Sequence, residues 1–180
     1  SGKQFAQSEL VAQVQQILDD TGLQAKHLKL EITESVVMEN AEIASSMLMQ
    51  LCGLGVHLCI DDFGTGYSSL SYLHRFPVKT LKIDRSFIGR IGQNGENSEI
   101  VRTINTLASN LGMEVVAEGV ETAEQLAQLK SLRCNFGQGY LFSEPLDAEQ
   151  AAAFIQSHQP FIPAALIEEG LIHAQLDLLN

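Results

Sequence analysis

Short runs in which apolar and polar residues alternate recur along the chain, separated by longer stretches in which apolar residues return every three or four positions. The alternation is clear where Leu28, Leu30 and Ile32 share one face of an extended segment. Strands are predicted at 27–33, 56–60, 78–84, 114–121 and 136–142. Helices are predicted at 8–21, 40–51, 68–75, 98–111, 122–132 and 163–178, and one more begins at 147. The predicted N-caps are Ser8, Asn40, Ser98 and Thr122, the last in a capping box with Gln125. This order requires parallel strands with helical crossovers, in an open doubly wound sheet or a β/α barrel.

Polar residues at the predicted strand ends favour one of these two folds. The glycine-rich motifs of nucleotide-binding open sheets, GxGxxG and GxxxxGKS/T, follow none of the predicted strands. Five successive strands each carry one polar group within the strand or at its end: Glu31, Asp61, Lys82, Glu118 and Gln138. Because barrel active sites lie at the carboxyl ends of the strands, the pattern favours a β/α barrel over a solvated rim of unrelated charges.

Composition narrows the function classes. A chain of 180 residues with 45% hydrophobic content has the size of one domain. Its net charge of −11 argues against general binding of DNA or RNA, so a phosphate ligand would need metal ions. The sequence contains no apolar run long enough for a membrane span. Three scattered cysteines, Cys52, Cys59 and Cys134, are typical of buried thiols in a reducing compartment, and we expect a soluble, cytoplasmic protein.

The adjacent acids Asp61 and Asp62 follow an apolar run and precede Gly64, which predicts paired carboxylates at the end of a strand. An ordinary Asp-Gly turn is the alternative. Together with Glu31 and Glu118 these carboxylates would repel one another, so a divalent cation is expected, and oxygen ligands favour Mg²⁺ or Mn²⁺ over Zn²⁺. Two such ions, bridged by Asp61, would suit phosphodiester hydrolysis. Lys82 would position the attacking water, or else merely offset the acids.

Five strings of the sequence resemble the motifs of the EAL-domain cyclic di-GMP (c-di-GMP) phosphodiesterases. They are EITES at 31–35, DDFGTGYSSL at 61–70, LKID at 81–84, AEGVET at 117–122 and QGYLF at 138–142. The resemblance extends over about residues 1–157 in the same order and spacing. It implies a modified TIM-type β/α barrel, with a mostly parallel sheet, that hydrolyses c-di-GMP to linear pGpG with Mg²⁺ or Mn²⁺ and is inhibited by Ca²⁺.

The resemblance also implies roles for individual residues. Ligands of the first metal would be Glu31 and Asp61, and ligands of the second would be Asp61, Asp62 and Glu118. Lys82 would hold the nucleophilic water. Further polar residues of the site and its loop would be Glu121, Gln138, Thr65 and Glu34, of which Glu34 would brace the loop at 63–70, a usual dimerisation surface of the family.

Departures from the family pattern qualify these expectations. The Glu-Ala-Leu tripeptide and the first strand are absent, and Ser1 resembles the serine that follows a metal-binding asparagine by two positions. Glu144 replaces a frequent lysine. We therefore expect a partial barrel at 1–157, an additional helix within 158–180, and little or no activity from the chain alone. We also expect a homodimer, and a sensory or GGDEF domain upstream in the parent protein. The alternative is a non-catalytic c-di-GMP-binding or dimerisation module.

Overall fold

The computed structural model describes residues 2–5, 7, 9–66, 70–91 and 96–156. The helices are α1 (Gly2–Phe5), α2 (Leu10–Thr21), α3 (Glu34–Glu39), α4 (Ala41–Gly53), α5 (Leu70–Leu73), α6 (Arg85–Ile88), α7 (Glu96–Asn110), α8 (Ala123–Ser131) and α9 (Ala148–Gln156), with a 3-10 helix at Ala25–His27. The strands are β1 (Lys29–Thr33), β2 (His57–Phe63), β3 (Thr80–Ile83), β4 (Glu114–Glu118) and β5 (Phe136–Gln138). The predicted N-cap Ser8, the start of the helix at 68–75, and residues 158–180 with their predicted helix lie outside the described residues.

The described strands form one parallel sheet in the order β1-β2-β3-β4-β5. Each crossover connects a strand to its immediate neighbour, always in the same direction across the sheet. Because such crossovers are right-handed, the helices lie on one face of the sheet. A doubly wound sheet would reverse its strand order at a switch point, and none of the described strands does so. The predicted β/α-barrel type is therefore confirmed. The sheet of the described residues remains open, with β1 and β5 as its edges.

The two faces of the sheet have opposite character. Apolar side chains on the helix-covered face form the core, with Leu58, Ile60, Leu81, Ile83 and Val115 almost fully buried. Because side chains alternate along a strand, the other face carries the polar positions between them. The central strand β3 is buried on both faces, including Thr80 and Lys82. The fold therefore buries a lysine in the middle of the polar face.

Helix termini follow the predicted capping chemistry. The Thr122 side chain accepts the Gln125 backbone N–H, and the Gln125 side chain accepts the Thr122 backbone N–H, so the predicted capping box at the start of α8 is confirmed. Asn40 caps α4 through the Ile43 N–H. Gly22, with φ of 67°, ends α2 in the left-handed conformation.

Some predicted boundaries were wrong. Strand β4 ends at Glu118 rather than at residue 121, because Gly119 adopts a φ of 69° that leaves the extended region. The last strand covers Phe136–Gln138 and not 136–142, since the chain turns after Gln138 and the Leu141 N–H donates to the Val120 carbonyl. Helix α7 begins at Glu96, so Ser98 lies inside the helix instead of capping it.

Two short helices that follow strands were not predicted. Helix α3 follows β1 directly, and α6 follows the Asp84 cap, whose carboxylate accepts the Ser86 N–H. Helices of one or two turns do not repeat a 3.6-residue pattern often enough for it to be recognised. Each nevertheless follows a strand that carries site residues and fixes where the chain goes next.

Across the part of the chain that the structure describes, each helix is too short or too polar to cross a lipid bilayer.

Candidate functional site

Strand β2 presents Asp61 and Asp62 through a local irregularity. Neighbouring residues of a regular strand point to opposite faces of the sheet. Here Ile60 pairs with Leu81 and Phe63 pairs with Ile83, so β2 contains one more residue than β3 over this interval. Asp62 absorbs the bulge with a φ of 53°, a left-handed conformation that aspartate tolerates better than most residues. The bulge thus lets two adjacent carboxylates reach one site.

Three carboxylates meet at this point. One oxygen from each of Asp61, Asp62 and Glu118 lies within 4.8 Å of the other two, and all three residues are half-buried. Glu118 comes from the carboxyl end of β4, two strands away from β2. The predicted convergence of these acids at the carboxyl ends of the strands is therefore present in the structure.

Lys82 lies next to this group and contacts carboxylates from three other strands. Its Nζ is 2.5 Å from Glu118 Oε1, 2.8 Å from Glu31 Oε2 and 3.1 Å from Asp61 Oδ1. The Lys82 side chain is 7% exposed, whereas that of Glu31, on the edge strand β1, is 45% exposed. Glu31 is thus joined to the site through Lys82 and lies outside the group formed by Asp61, Asp62 and Glu118.

The charges of the site do not balance. One ammonium faces three carboxylates in direct contact, and Asp62 adds a fourth nearby. Burial lowers the pKa of Lys82, but the contacts of its ammonium with the Glu118, Glu31 and Asp61 carboxylates outweigh burial and raise the pKa overall, so Lys82 stays charged. Burial raises the pKa of Glu118, and Asp61 and Glu31 add to this rise against the opposing effect of Lys82. Burial and then Asp61 raise the pKa of Asp62 as well.

This donor set fits a hard divalent cation. Asp61 Oδ1 is buried and receives no well-directed hydrogen bond from the described residues, although Lys82 Nζ lies 3.1 Å away. A buried carboxylate oxygen without a hydrogen bond is costly unless a cation contacts it. The ligand atoms are all carboxylate oxygens, which Mg²⁺, Mn²⁺ and Ca²⁺ prefer. The nearby Cys59 lies outside this group, and burial and then the Glu31 charge raise the pKa of its thiol to about 12.

An open cleft of about 340 Å³ adjoins the carboxylates. It is lined by Asp62, Glu118 and two further predicted site residues, Glu121 and Gln138. Glu121 is exposed, and Gln138 pairs with Glu118 across β4 and β5. The structure therefore places Glu121 and Gln138 in the cleft beside the Asp62 and Glu118 carboxylates.

The loop after β2 is fixed by Glu34. This side chain is only 1% exposed, and its Oε2 accepts the backbone N–H groups of Gly64 at 2.9 Å and Gly66 at 3.2 Å. The Thr65 hydroxyl donates to the Asp62 carbonyl at 2.8 Å, so in this structure Thr65 closes the turn. The bracing contact expected of Glu34 is thus present, while Tyr67–Ser69 of the predicted dimerisation loop lie outside the described residues.

Two charged residues of the cleft were not predicted from the sequence. Asp84 and Arg85 line it, and Asp84 contributes to the raised pKa of Asp62. Asp84 is the last residue of the LKID string, two positions after Lys82, and its place in that string could have identified it as a site residue. Burial raises the pKa of Asp84, but hydrogen bonds from Ser86 and Arg85 outweigh it and lower the pKa overall.

Comparisons with known proteins point to one family. The EAL domain family matches residues 1–145. The cyclic di-GMP phosphodiesterase NbdA of Pseudomonas aeruginosa is 46% identical over 155 residues, which are 86% of this chain and 20% of NbdA. The chain spans about a fifth of the length of the curated relatives that it matches.

Solved structures show the same fold. The PaMucR phosphodiesterase in complex with c-di-GMP superposes with a TM-score of 0.82 at 46% identity, covering 84% of this chain and 61% of that one. Klebsiella pneumoniae BlrP1 in its manganese/c-di-GMP complex gives a TM-score of 0.73 at 35% identity, covering 79% of this chain and 36% of that one. The family predicted from the five sequence strings is therefore confirmed.

Proposed function

The chain belongs to the EAL domain family, and on that premise we propose that it forms part of a metal-dependent phosphodiesterase that hydrolyses c-di-GMP to linear pGpG. The observation that carries the proposal is the group of Asp61, Asp62 and Glu118 carboxylates within 4.8 Å, beside the buried ammonium of Lys82. The c-di-GMP complexes of PaMucR and BlrP1 support the choice of substrate.

In this proposal Asp61, Asp62 and Glu118 would hold one divalent cation, and Asp61 and Glu31 would help to hold a second. Mg²⁺ or Mn²⁺ are the expected ions, and Ca²⁺ is expected to bind without supporting turnover. When bound, the ions supply Lewis-acid activation of the phosphodiester and of the attacking water. The protein contributes fixed carboxylates on β2 and β4, which the parallel sheet keeps in register.

The reaction breaks one P–O3′ bond of the cyclic dinucleotide. The water oxygen joins phosphorus, and its protons leave for the 3′ oxygen and for solvent, so that the product carries a 5′-phosphate and a 3′-hydroxyl. Lys82 is buried beside the carboxylates, and its ammonium would supply positive charge near the phosphoryl oxygens on which negative charge grows. Glu121 and Gln138, on the wall of the cleft, are positioned to contact the nucleotide.

The 180 residues alone are expected to hydrolyse c-di-GMP slowly or not at all. Glu31 lies on an edge strand and is 45% exposed, and the sheet of the described residues is open on that side. A metal ligand that solvent can reach is held less rigidly than one with surrounding support. We expect turnover at least 100-fold below that of the PaMucR phosphodiesterase under the same Mn²⁺ concentration.

A chimera separates catalysis from binding. The chain replaces the segment of the PaMucR phosphodiesterase that it matches, and chromatography follows loss of c-di-GMP and release of pGpG with Mn²⁺. We expect metal-dependent release of pGpG that falls more than 1,000-fold in Asp61→Asn and Lys82→Met versions, and not in a matched Lys79→Met version. A folded chimera that binds c-di-GMP and Mn²⁺ without releasing pGpG would instead support the non-catalytic receptor.

We further propose that a second copy of the chain covers the open edge at β5. All three residues of this strand are exposed, including Phe136 at 53%, and Tyr140 beyond it is 66% exposed. An unpaired strand with large exposed apolar side chains invites association. Light scattering should give about twice the monomer mass at micromolar concentration, and Tyr140→Asp should lower it. A monomer mass for the unsubstituted chain at every concentration would contradict the dimer.

A further inference from the structure

Lys82 makes the same kind of contact with the carboxylates that a bound metal would make. Its Nζ lies within 3.1 Å of Glu31, Asp61 and Glu118, and these four residues come from the four consecutive strands β1 to β4. At 7% exposure, the ammonium has few alternative partners in solvent. Lys82 thus ties together the carboxyl ends of four strands that otherwise present only negative charge to one another.

Two of the three carboxylates that contact Lys82 belong to the group that fits a metal. Asp61 and Glu118 serve both the ammonium and the set completed by Asp62. A divalent cation at oxygen-ligand distance from the same carboxylates would lie a few ångströms from Nζ, where two positive charges repel strongly in a partly buried site. The Lys82 ammonium and a divalent cation therefore compete for the same carboxylates.

Resting on the function proposed above, we propose that Lys82 is an internal counter-cation that stabilises the carboxylate group without metal and lowers its affinity for metal. We expect the backbone that carries the carboxylates to stay in place when Lys82 is replaced, because the bulge in β2 sets the positions of Asp61 and Asp62 and the pairing of β4 with β5 sets that of Glu118. Replacing Lys82 should therefore raise the metal affinity, because removing the repelling positive charge has a larger effect than removing the contacts of the lysine with the ligands.

The test is calorimetry with Mn²⁺ alone on the 180-residue chain, compared among the unsubstituted protein, Lys82→Met, Lys82→Gln and Lys79→Met. Lys79 immediately precedes β3, is exposed, and lines a cleft with Lys29, His57 and Glu114 at the other end of the strands, which makes it the matched control. We expect both Lys82 variants to bind Mn²⁺ at least tenfold more tightly, and Lys79→Met to bind within twofold of the unsubstituted protein.

The melting temperature supplies the second readout. Without metal, Lys82→Met should melt about 5 °C or more below the unsubstituted protein, because three carboxylates lose their shared cation. Saturating Mn²⁺ should restore most of that loss. If Lys82→Met is unfolded without metal, the Mn²⁺ concentration at the midpoint of its metal-induced folding gives an upper limit to the dissociation constant of the folded site.

Unchanged Mn²⁺ affinity in both Lys82 variants would overturn the competition, and weaker affinity would show that Lys82 organises the ligands instead. An unchanged metal-free melting temperature would overturn its stabilising role. Because catalysis is not measured, these outcomes are separate from failure of c-di-GMP hydrolysis in the chimera.

Discussion

Replacing Glu34 by alanine should release the loop that follows the metal-ligand strand. Glu34 is 1% exposed, and its Oε2 accepts the backbone N–H groups of Gly64 and Gly66. A hydrogen bond to a charged group contributes roughly 1.5–3 kcal/mol when its partner is removed. Both glycines are exposed, so water replaces part of the loss. We therefore expect Glu34→Ala to lower the free energy of unfolding by about 2–3 kcal/mol.

Matched variants distinguish the effect of the negative charge of Glu34 from the effect of its hydrogen-bond acceptor. Glu34→Gln keeps an oxygen that can accept both N–H groups and should cost only about 1 kcal/mol. Glu39→Ala removes an exposed carboxylate at the end of the same helix and should change stability by less than about 0.5 kcal/mol. Urea unfolding monitored by circular dichroism measures all three variants.

Hydrogen exchange localises the effect. If the loop opens more easily by 2–3 kcal/mol, the Gly64 and Gly66 amides should exchange roughly 30- to 150-fold faster in Glu34→Ala, since 1.4 kcal/mol corresponds to tenfold. Amides in the core strand β3 that exchange through global unfolding should accelerate by a similar factor, whereas amides of α8 that exchange through local opening should be unchanged. Unchanged exchange at both glycines, together with unchanged stability, would refute the bracing role.

The remaining predictions concern Asp84 and two glycines. The folded-state pKa of Asp84 is lowered, so its carboxylate stabilises the fold above the unfolded pKa of about 4 and loses that effect as pH falls. Asp84→Ala should cost about 1 kcal/mol at pH 7 and less near pH 3 in urea titrations, and a pH-independent difference would contradict this. Gly119→Ala should lower the melting temperature more than Gly22→Ala does. The two glycines have φ of 69° and 67°, but only at Gly119 would the new Cβ lie 2.6 Å from the Arg85 Cβ. Equal shifts would show that backbone strain alone decides the cost.

Much of the site could be predicted because it lies at strand ends. The predicted strands placed Asp61, Lys82 and Glu118 within strands or at their ends, and parallel packing brings those ends together. The strand order β1-β2-β3-β4-β5 then follows from short crossovers between neighbours. For these residues, local pattern and global fold agree.

Details that depend on register or on single dihedral angles could not be predicted. The bulge that turns Asp62 toward Asp61 becomes visible only when β2 is paired with β3. The contacts of Lys82 with three strands likewise depend on the register of all of them. Gly119 looked like a residue inside a strand, yet its positive φ ends β4 and allows the close approach of Arg85.

The most direct test of the account is whether Asp61, Asp62 and Glu118 bind a divalent cation. Electron paramagnetic resonance of free Mn²⁺, titrated into the 180-residue chain, measures this without any catalytic readout. We expect saturable binding that weakens at least 100-fold in the isosteric variant Asp61→Asn. The variant Asp20→Asn, which neutralises an exposed carboxylate on α2, should leave it unchanged. Equal Mn²⁺ affinity in the Asp61→Asn variant and the unsubstituted protein would contradict the central claim.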